Sequence, residues 1–187
     1  MKTIVDRKQP HLGGNLLDGD PGSWSPSSWE FIIKKYNIKS VLDVGSGIGH
    51  AAKWFNNFGL ETTAIDGLEY NINNSLYPAI IHDLTNGYFE KKVDFVNCIE
   101  VVEHIDETYL NNLMKTLTQG TYVLITHALP GQQGHHHVNC KDSNYWIKNF
   151  EMEGYEFLED DTLKIKEFAN LDNAVHLIRS GLFFKRK

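Results

Sequence analysis

Three features of the sequence predict an α/β domain in three layers, with a mostly parallel seven-stranded sheet covered by helices on both faces. Short apolar runs of strand length alternate with segments of helical periodicity. The first of those runs ends in glycines at every second position, "VLDVGSGIG". A balance of 41% hydrophobic to 22% charged residues, over 187 positions, supplies enough apolar material for one core.

The elements follow in order. Residues 1–24, with "HLGGNLLDGDPGSW" rich in Gly and Asp, predict an irregular lead-in, either a docked tail or a lid. Ser25 is the expected cap of a helix with Pro26 in its first position; Ser27 and Glu30 stand at capping-box spacing, and Trp29, Ile32, Ile33 and Tyr36 form its apolar stripe. "SVLDVG" (40–45) reads as a buried strand, "GHAAKWFNNFG" (49–59) as a helix ended by Gly59, and "LETTAID" (60–66) as a second strand. "AIIHD" (79–83) is a weaker third strand, and "VDFVNCIE" (93–100) a fourth, apolar nearly throughout as a strand covered on both faces should be. Asp106 is expected to cap a helix bearing Tyr109, Leu110, Leu113, Met114 and Leu117, with Gly120 as its stop. "TYVLITHA" (121–128) is a fifth strand. After a histidine-rich loop at 128–142, Ser143 opens a helix with Trp146, Ile147 and Phe150, stopped at Gly154. "YEFLE" (155–159) and "GLFFKR" (181–186) complete the sheet, separated by a mixed segment holding a short helix. The whole of 1–187 is expected to form a single domain.

Several function classes are disfavoured by composition. The formal net charge of −6 repels a phosphate backbone, which argues against a large nucleic-acid footprint. Two cysteines, Cys98 and Cys140, make neither a disulfide framework nor a CxxC metal pair, and Cys98 reads as a small buried hydrophobe. No leader-like h-region or membrane-length apolar run is present, so a soluble, cytoplasmic protein is expected.

Sheets of this kind bind ligands beyond the carboxyl ends of their strands, which singles out Gly45 to Gly49, Asp66, Asp83, Glu100 and His127. A strand-to-helix turn without side chains lets a ligand approach the backbone, and the helix start offers free N–H groups. The dinucleotide fingerprint G-x-G-x-x-G lacks its third glycine here, and Asp43 stands where a pyrophosphate would meet a negative charge. A cationic or zwitterionic ligand tolerates that carboxylate far better. Asp66, closing the second strand, is placed to accept both hydroxyls of a ribose.

"VLDVGSGIG" resembles motif I of the class I S-adenosylmethionine-dependent methyltransferases, and the resemblance runs from about Ser40 to the last strand. It implies a Rossmann-like sandwich whose last strand is antiparallel. It also implies that Gly45, Ser46, Gly47 and Gly49 wrap the methionine part of the cofactor, that Asp43 faces its ammonium end, and that Asp66 with Gly67 holds the ribose. "HDLT", with Asp83 and Leu84, resembles the segment that contacts adenine. "CIEVVEHI" (98–105) resembles the motif after the fourth strand, whose Glu100 borders the cofactor.

"EVVEH" also resembles the E-x-x-E-H motif with which small-RNA 3′-end methyltransferases and ubiquinone-pathway O-methyltransferases can hold a divalent ion. Glu100, Glu103 and His104, joined by His136 or His137 from "GQQGHHHVN", form the expected ligand set for Mg²⁺ or Mn²⁺, a mixed oxygen and nitrogen site. The competing reading has Glu103 in a local pair and His104 as a base or a packed ring. His104 and His127 are the candidate general bases, since imidazole titrates near working pH. The expected reaction is O-methylation of a small hydroxylated metabolite or sugar. Alternatives are an RNA 2′-O or 3′-end methyltransferase, a non-catalytic S-adenosylmethionine-binding protein, and a nicotinamide-dependent oxidoreductase of the same fold.

Overall fold

The structure, a computed structural model, describes residues 3, 4, 6, 8–14 and 16–187. Its strands are β1 (Ser40–Val44), β2 (Glu61–Asp66), β3 (Ile80–Ile81), β4 (Val93–Cys98), β5 (Gly120–Ile125), β6 (Tyr155–Phe157) and β7 (Leu182–Arg186). They form one sheet in the order β3-β2-β1-β4-β5-β7-β6. Neighbours from β3 to β5 are parallel, and β7 runs antiparallel between β5 and β6. Strand order reverses between β1 and β4, so a crevice opens at their carboxyl ends. Asp43 sits in that crevice, in register with Ala64 of β2 and Asn97 of β4.

The helices are α1 (Pro26–Tyr36), α2 (His50–Asn57), α3 (Glu69–Asn73), α4 (Leu110–Leu117), α5 (Ser143–Met152), α6 (Glu159–Leu171) and α7 (Val175–Ser180). Strand side chains alternate between two cores. Val41, Phe95, Leu124 and Phe183 pack with Trp29 of α1, Phe55 of α2, Ile165 of α6 and Leu177 of α7. Leu42, Val96, Val123 and Phe184 pack with Leu113 and Leu117 of α4 and with Trp146 and Phe150 of α5. Burial of each such side chain contributes roughly 1.5–3 kcal/mol, so both helical layers are firmly held.

Some expected boundaries and caps move. Only Ile80 and Ile81 of 79–83 pair in register with β2, and the His82 N–H adds one bond to Asp66 O at 2.9 Å. Gly120 begins β5 instead of ending a helix: α4 stops at Leu117, and the Thr118 N–H closes onto Met114 O at 2.8 Å. Asp106 caps a separate turn, Glu107–Tyr109, from which α4 continues. The cap of α1 is tertiary. Ser25 donates to Ser28 Oγ, while Asp172, past the end of α6, accepts from the Ser27 N–H and Oγ, both at 2.9 Å. Asp142, not Ser143, caps α5 by accepting from Tyr145 N at 2.8 Å. The segment between the last two strands holds two helices, α6 and α7, rather than one.

The lead-in is packed. It carries turns at Pro10–Leu12 and Pro21–Ser23 and a bridge between Thr3 and Leu16.

Candidate active site

Beyond β1 the chain turns through 45–49 into α2. Gly45, Gly47 and Gly49 have φ of 68°, 56° and 80°, the left-handed region that glycine enters at little cost. The Gly45 and Ser46 N–H groups both donate to Ile65 O, at 2.9 and 3.0 Å, which fastens the turn to β2. A Cβ on Gly45 would collide with Val101, whereas one on Gly47 would meet nothing within 4 Å. The turn therefore presents bare backbone to the space above it. That space is a cavity of about 940 Å³, at the upper end of what small-molecule sites enclose.

Acids ring the turn. Asp43 is 3% exposed; its Oδ1 accepts from Asn97 Nδ2 at 2.8 Å, and its Oδ2 has no hydrogen-bond partner among the described residues. Burial pushes its carboxyl up to about 6, against the Asn97 hydrogen bond and with some help from the Asp66 charge. Asp66 accepts from Gly47 N and Leu68 N at 2.8 Å and from Asn71 Nδ2 at 3.0 Å, yet burial still holds it above the usual carboxylate range. Gly67 and Leu84 also line the cavity. Asp83 behaves differently: burial is outweighed by Thr85 and His11, and its carboxyl lies below the usual value.

The lead-in crosses the cavity mouth as a strap. His11 Nε2 lies 3.2 Å from both Asp83 oxygens, and His135 Nε2 lies 2.8 Å from Pro10 O. Further along, His50 Nε2 is 3.0 Å from Asp18 O, and His176 Nε2 is 2.8 Å from Asp20 Oδ2. Trp24 then meets Trp29 edge-on, with ring centroids 5.3 Å apart.

Opposite the turn, ligand atoms of Glu103, His104 and His137 lie within 4.8 Å of one another. Glu103 is fully buried, and neither of its oxygens has a hydrogen-bond partner among the described residues; His104 Nδ1 has none either. Burial, reinforced by the Glu100 charge, pushes the Glu103 carboxyl up to about 8. Burial and the nearby His137 bring His104 down to about 4. The loop is fastened to this point by the Val138 and Asn139 N–H groups, which donate to Glu103 O at 3.0 and 3.1 Å.

Three expected positions depart from this arrangement. Glu100 stays outside the cluster, with Oε1 accepting from Thr126 Oγ1 at 2.8 Å and Oε2 lying 2.9 Å from His176 Nδ1; His176 holds it below the usual carboxylate range despite burial. His136, with φ of 47°, is not a cavity-lining residue; its ring centroid is 6.4 Å from those of His11 and His135. His127 lies past the end of β5, 1% exposed, with Nε2 3.1 Å from Ser143 Oγ at the start of α5, and it does not line the cavity. The structure thus makes His127 a packed ring, and burial lowers its pKa.

Asn97, His11 and His176 were missing from the expected set. Trp29 Nε1 donates to Asn97 Oδ1 at 3.1 Å, so a hydrogen-bonded thread runs from α1 through β4 to Asp43. The signal for Asn97 in the sequence was slight: a second polar residue, after Asp94, in a strand that is apolar elsewhere.

The fold, the glycine turn and the acids at the strand ends define a nucleoside-cofactor-binding class. A family model described as a methyltransferase domain matches residues 24–166, and the chain belongs to that family. The protein is an S-adenosylmethionine-dependent methyltransferase. A ubiquinone biosynthesis O-methyltransferase of Rickettsia bellii is 29% identical over 178 residues, covering 79% of this chain and 73% of that one. An S-adenosylmethionine-dependent methyltransferase from Archaeoglobus fulgidus superimposes with a TM-score of 0.62 at 16% identity, over 90% of this chain and 96% of that one. Magnesium protoporphyrin IX methyltransferase of Synechocystis, solved with S-adenosylmethionine bound, gives 0.59 at 14% identity over 84% and 76%. These two likenesses concern the fold.

Proposed function

We propose that the protein methylates a hydroxyl of a small acceptor held between the strap and the 128–142 loop, with S-adenosylmethionine seated on the glycine turn. The observation that carries this reading is the half-partnered, buried Asp43 carboxylate in the cavity wall, which suits the ammonium end of that cofactor and would repel a diphosphate. Backbone at Gly45, Ser46, Gly47 and Gly49 would wrap the methionine part. Asp66 and Gly67 would hold the ribose, since Asp66 Oδ2 accepts only from Gly47 N and keeps a lone pair for a hydroxyl, while Oδ1 is already engaged by Leu68 N and Asn71 Nδ2. Asp83 and Leu84 would flank the base, and Glu100 would border the methionine end.

The sulfonium supplies an activated methyl group, so the chain's own task is to orient the acceptor, exclude water and remove a proton. His104 is the proposed base. Burial and His137 hold it near 4, so at working pH it is neutral and has a lone pair to accept with, as a weak base. Glu103, His104 and His137 also fit a divalent cation: a buried carboxyl group without a hydrogen-bond partner beside two imidazoles is an oxygen and nitrogen donor set suited to Mg²⁺ or Mn²⁺. Bound there, such an ion would lower the pKa of an acceptor hydroxyl. The O-methyltransferase relatives support a hydroxyl acceptor. Among the described residues Arg179 is the only Lys or Arg lining the cavity, so no basic track for RNA is present. No helix among the described residues is long and apolar enough to cross a membrane, and the free thiols of Cys98 and Cys140 suit a reducing cytoplasm.

The test pairs calorimetric titration of S-adenosylhomocysteine with radiolabelled methyl transfer to a panel of catechols and sugars, with and without Mg²⁺. Glu103→Gln and His104→Ala should each cost roughly 100-fold or more in turnover while leaving cofactor affinity near wild type. Wild-type protein that fails to bind the cofactor product, or variants that turn over normally, would refute the assignment.

A further inference from the structure

The Asp20–His176–Glu100 chain joins three separate parts of the molecule. Asp20 belongs to the strap, His176 to α7, and Glu100 to the segment just past β4. Each end is braced. Asp20 Oδ1 accepts from Gly22 N at 2.8 Å, which sets the turn of the strap. Thr126 Oγ1 accepts from Glu100 N at 2.7 Å and donates to Glu100 Oε1 at 2.8 Å, so one hydroxyl fixes both the backbone and the carboxylate. Glu100 itself has φ of 57°, an uncommon conformation for a residue with a Cβ, which this bracing sustains. The Nδ1 contact, at 2.9 Å, is a close ion pair lying off the line of a good hydrogen bond, whereas the Nε2 contact with Asp20 is well aligned.

The approach of strap and helix is also sterically specified. A Cβ on Gly22 would come within 2.9 Å of His176 Nε2 and of Val175 Cγ2, so a side chain there would make these two residues shift. The foot of α7 is fastened in turn by Ser180 Oγ, which accepts from His127 N at 3.1 Å. Asp20, Glu100 and His176 all line the cavity.

We infer that His176 is a positioning residue that clasps the N-terminal strap to the end of β4, closing the cavity over bound cofactor and fixing the Glu100 carboxylate beside it. The cofactor half of this inference rests on the proposed function; the clasp itself does not. Entry and release of the cofactor then require the Asp20–His176 contact to open.

The experiment is amide hydrogen exchange of the ligand-free protein, wild type against His176→Ala, His176→Gln and Asp20→Asn, together with stopped-flow release of S-adenosylhomocysteine read by tryptophan fluorescence. His176→Ala should speed exchange across residues 16–24 about tenfold or more, with β1 and β4 unchanged, and raise the release rate by a similar factor. His176→Gln, which keeps one donor, should recover part of the effect. The double variant His176→Ala/Asp20→Asn should be no worse than His176→Ala alone, because both remove one contact. If His176→Ala does not fold, Asp20→Asn reads the same contact from the strap side. Unchanged exchange over 16–24, or fully additive effects, overturns the clasp. If wild-type protein binds no S-adenosylhomocysteine, the proposed function falls while the exchange measurement still decides the clasp.

Discussion

Asp43 offers the sharpest prediction, because its position carries a free-energy cost in the empty protein that a bound cation would offset. Burial raises its carboxyl from 3.8 to about 6. At about 1.4 kcal/mol per pH unit, ionised Asp43 costs the ligand-free fold about 3 kcal/mol. The sign follows from the folded value lying above the unfolded one. This group's contribution to stability is fully present below 3.8 and is lost as pH rises through about 6. An ammonium placed against Oδ2 favours the ionised form, so cofactor stabilisation should grow over the same range. At pH 5 about one tenth of Asp43 would be ionised, and affinity for S-adenosylhomocysteine should be about tenfold weaker than at pH 7.5. Thermal shift and calorimetry across pH 5–7.5 measure this directly. Asp43→Asn should flatten the part of the profile due to this residue, bind roughly 10- to 100-fold more weakly at pH 7.5, and give a more stable ligand-free protein at that pH. The comparison also separates Asp43 from Asp66 and the cavity histidines, which stay in place in the variant. A variant whose profile matches wild type would refute the placement of Asp43 opposite the ammonium.

Two further expectations concern the frame. Asp172→Ala removes the tertiary cap that Ser27 N and Oγ rely on, and should cost about 1 kcal/mol, read as a melting temperature lower by roughly 2–4 °C. Trp29→Phe leaves the buried Asn97 Oδ1 without its donor. It should cost about 1–3 kcal/mol in chemical denaturation and weaken S-adenosylhomocysteine binding through Asn97 and Asp43; unchanged cofactor affinity would show that the thread does not orient the acid.

The sheet was legible because it is built from local signals. Apolar runs such as "VDFVNC" have strand length, and their alternation with helical stripes selects one topology class. The glycine turn was legible because left-handed residues at every second position leave a composition that few other structures need. What escaped was tertiary. Asp172 caps α1 across 145 residues of chain, and no spacing rule reaches that far. Gly120 carried the composition of a helix stop, yet it opens β5, where an added Cβ would press against Val96. The split of the last connection into α6 and α7 hangs on Asn173, whose φ of 57° breaks the helical path without a Gly or Pro to announce it.

The histidines show most clearly why a site cannot be read from residue types alone. Nine in a chain of 187 suggested proton transfer and metal binding at the strand ends. Four of them instead fasten the N-terminal strap: His11 to Asp83, His50 to Asp18 O, His135 to Pro10 O and His176 to Asp20. His127 closes on Ser143, and His82 on Gly87 O at 3.1 Å. Of the strand-end and loop candidates, His104 and His137 are left beside the buried Glu103. An imidazole serves as readily to bond a passing carbonyl or carboxylate as to move a proton, and sequence spacing does not separate the two uses. In this fold the strap takes up four of the histidines, and His137 Nδ1 too lies 3.3 Å from a carbonyl, that of Gln132.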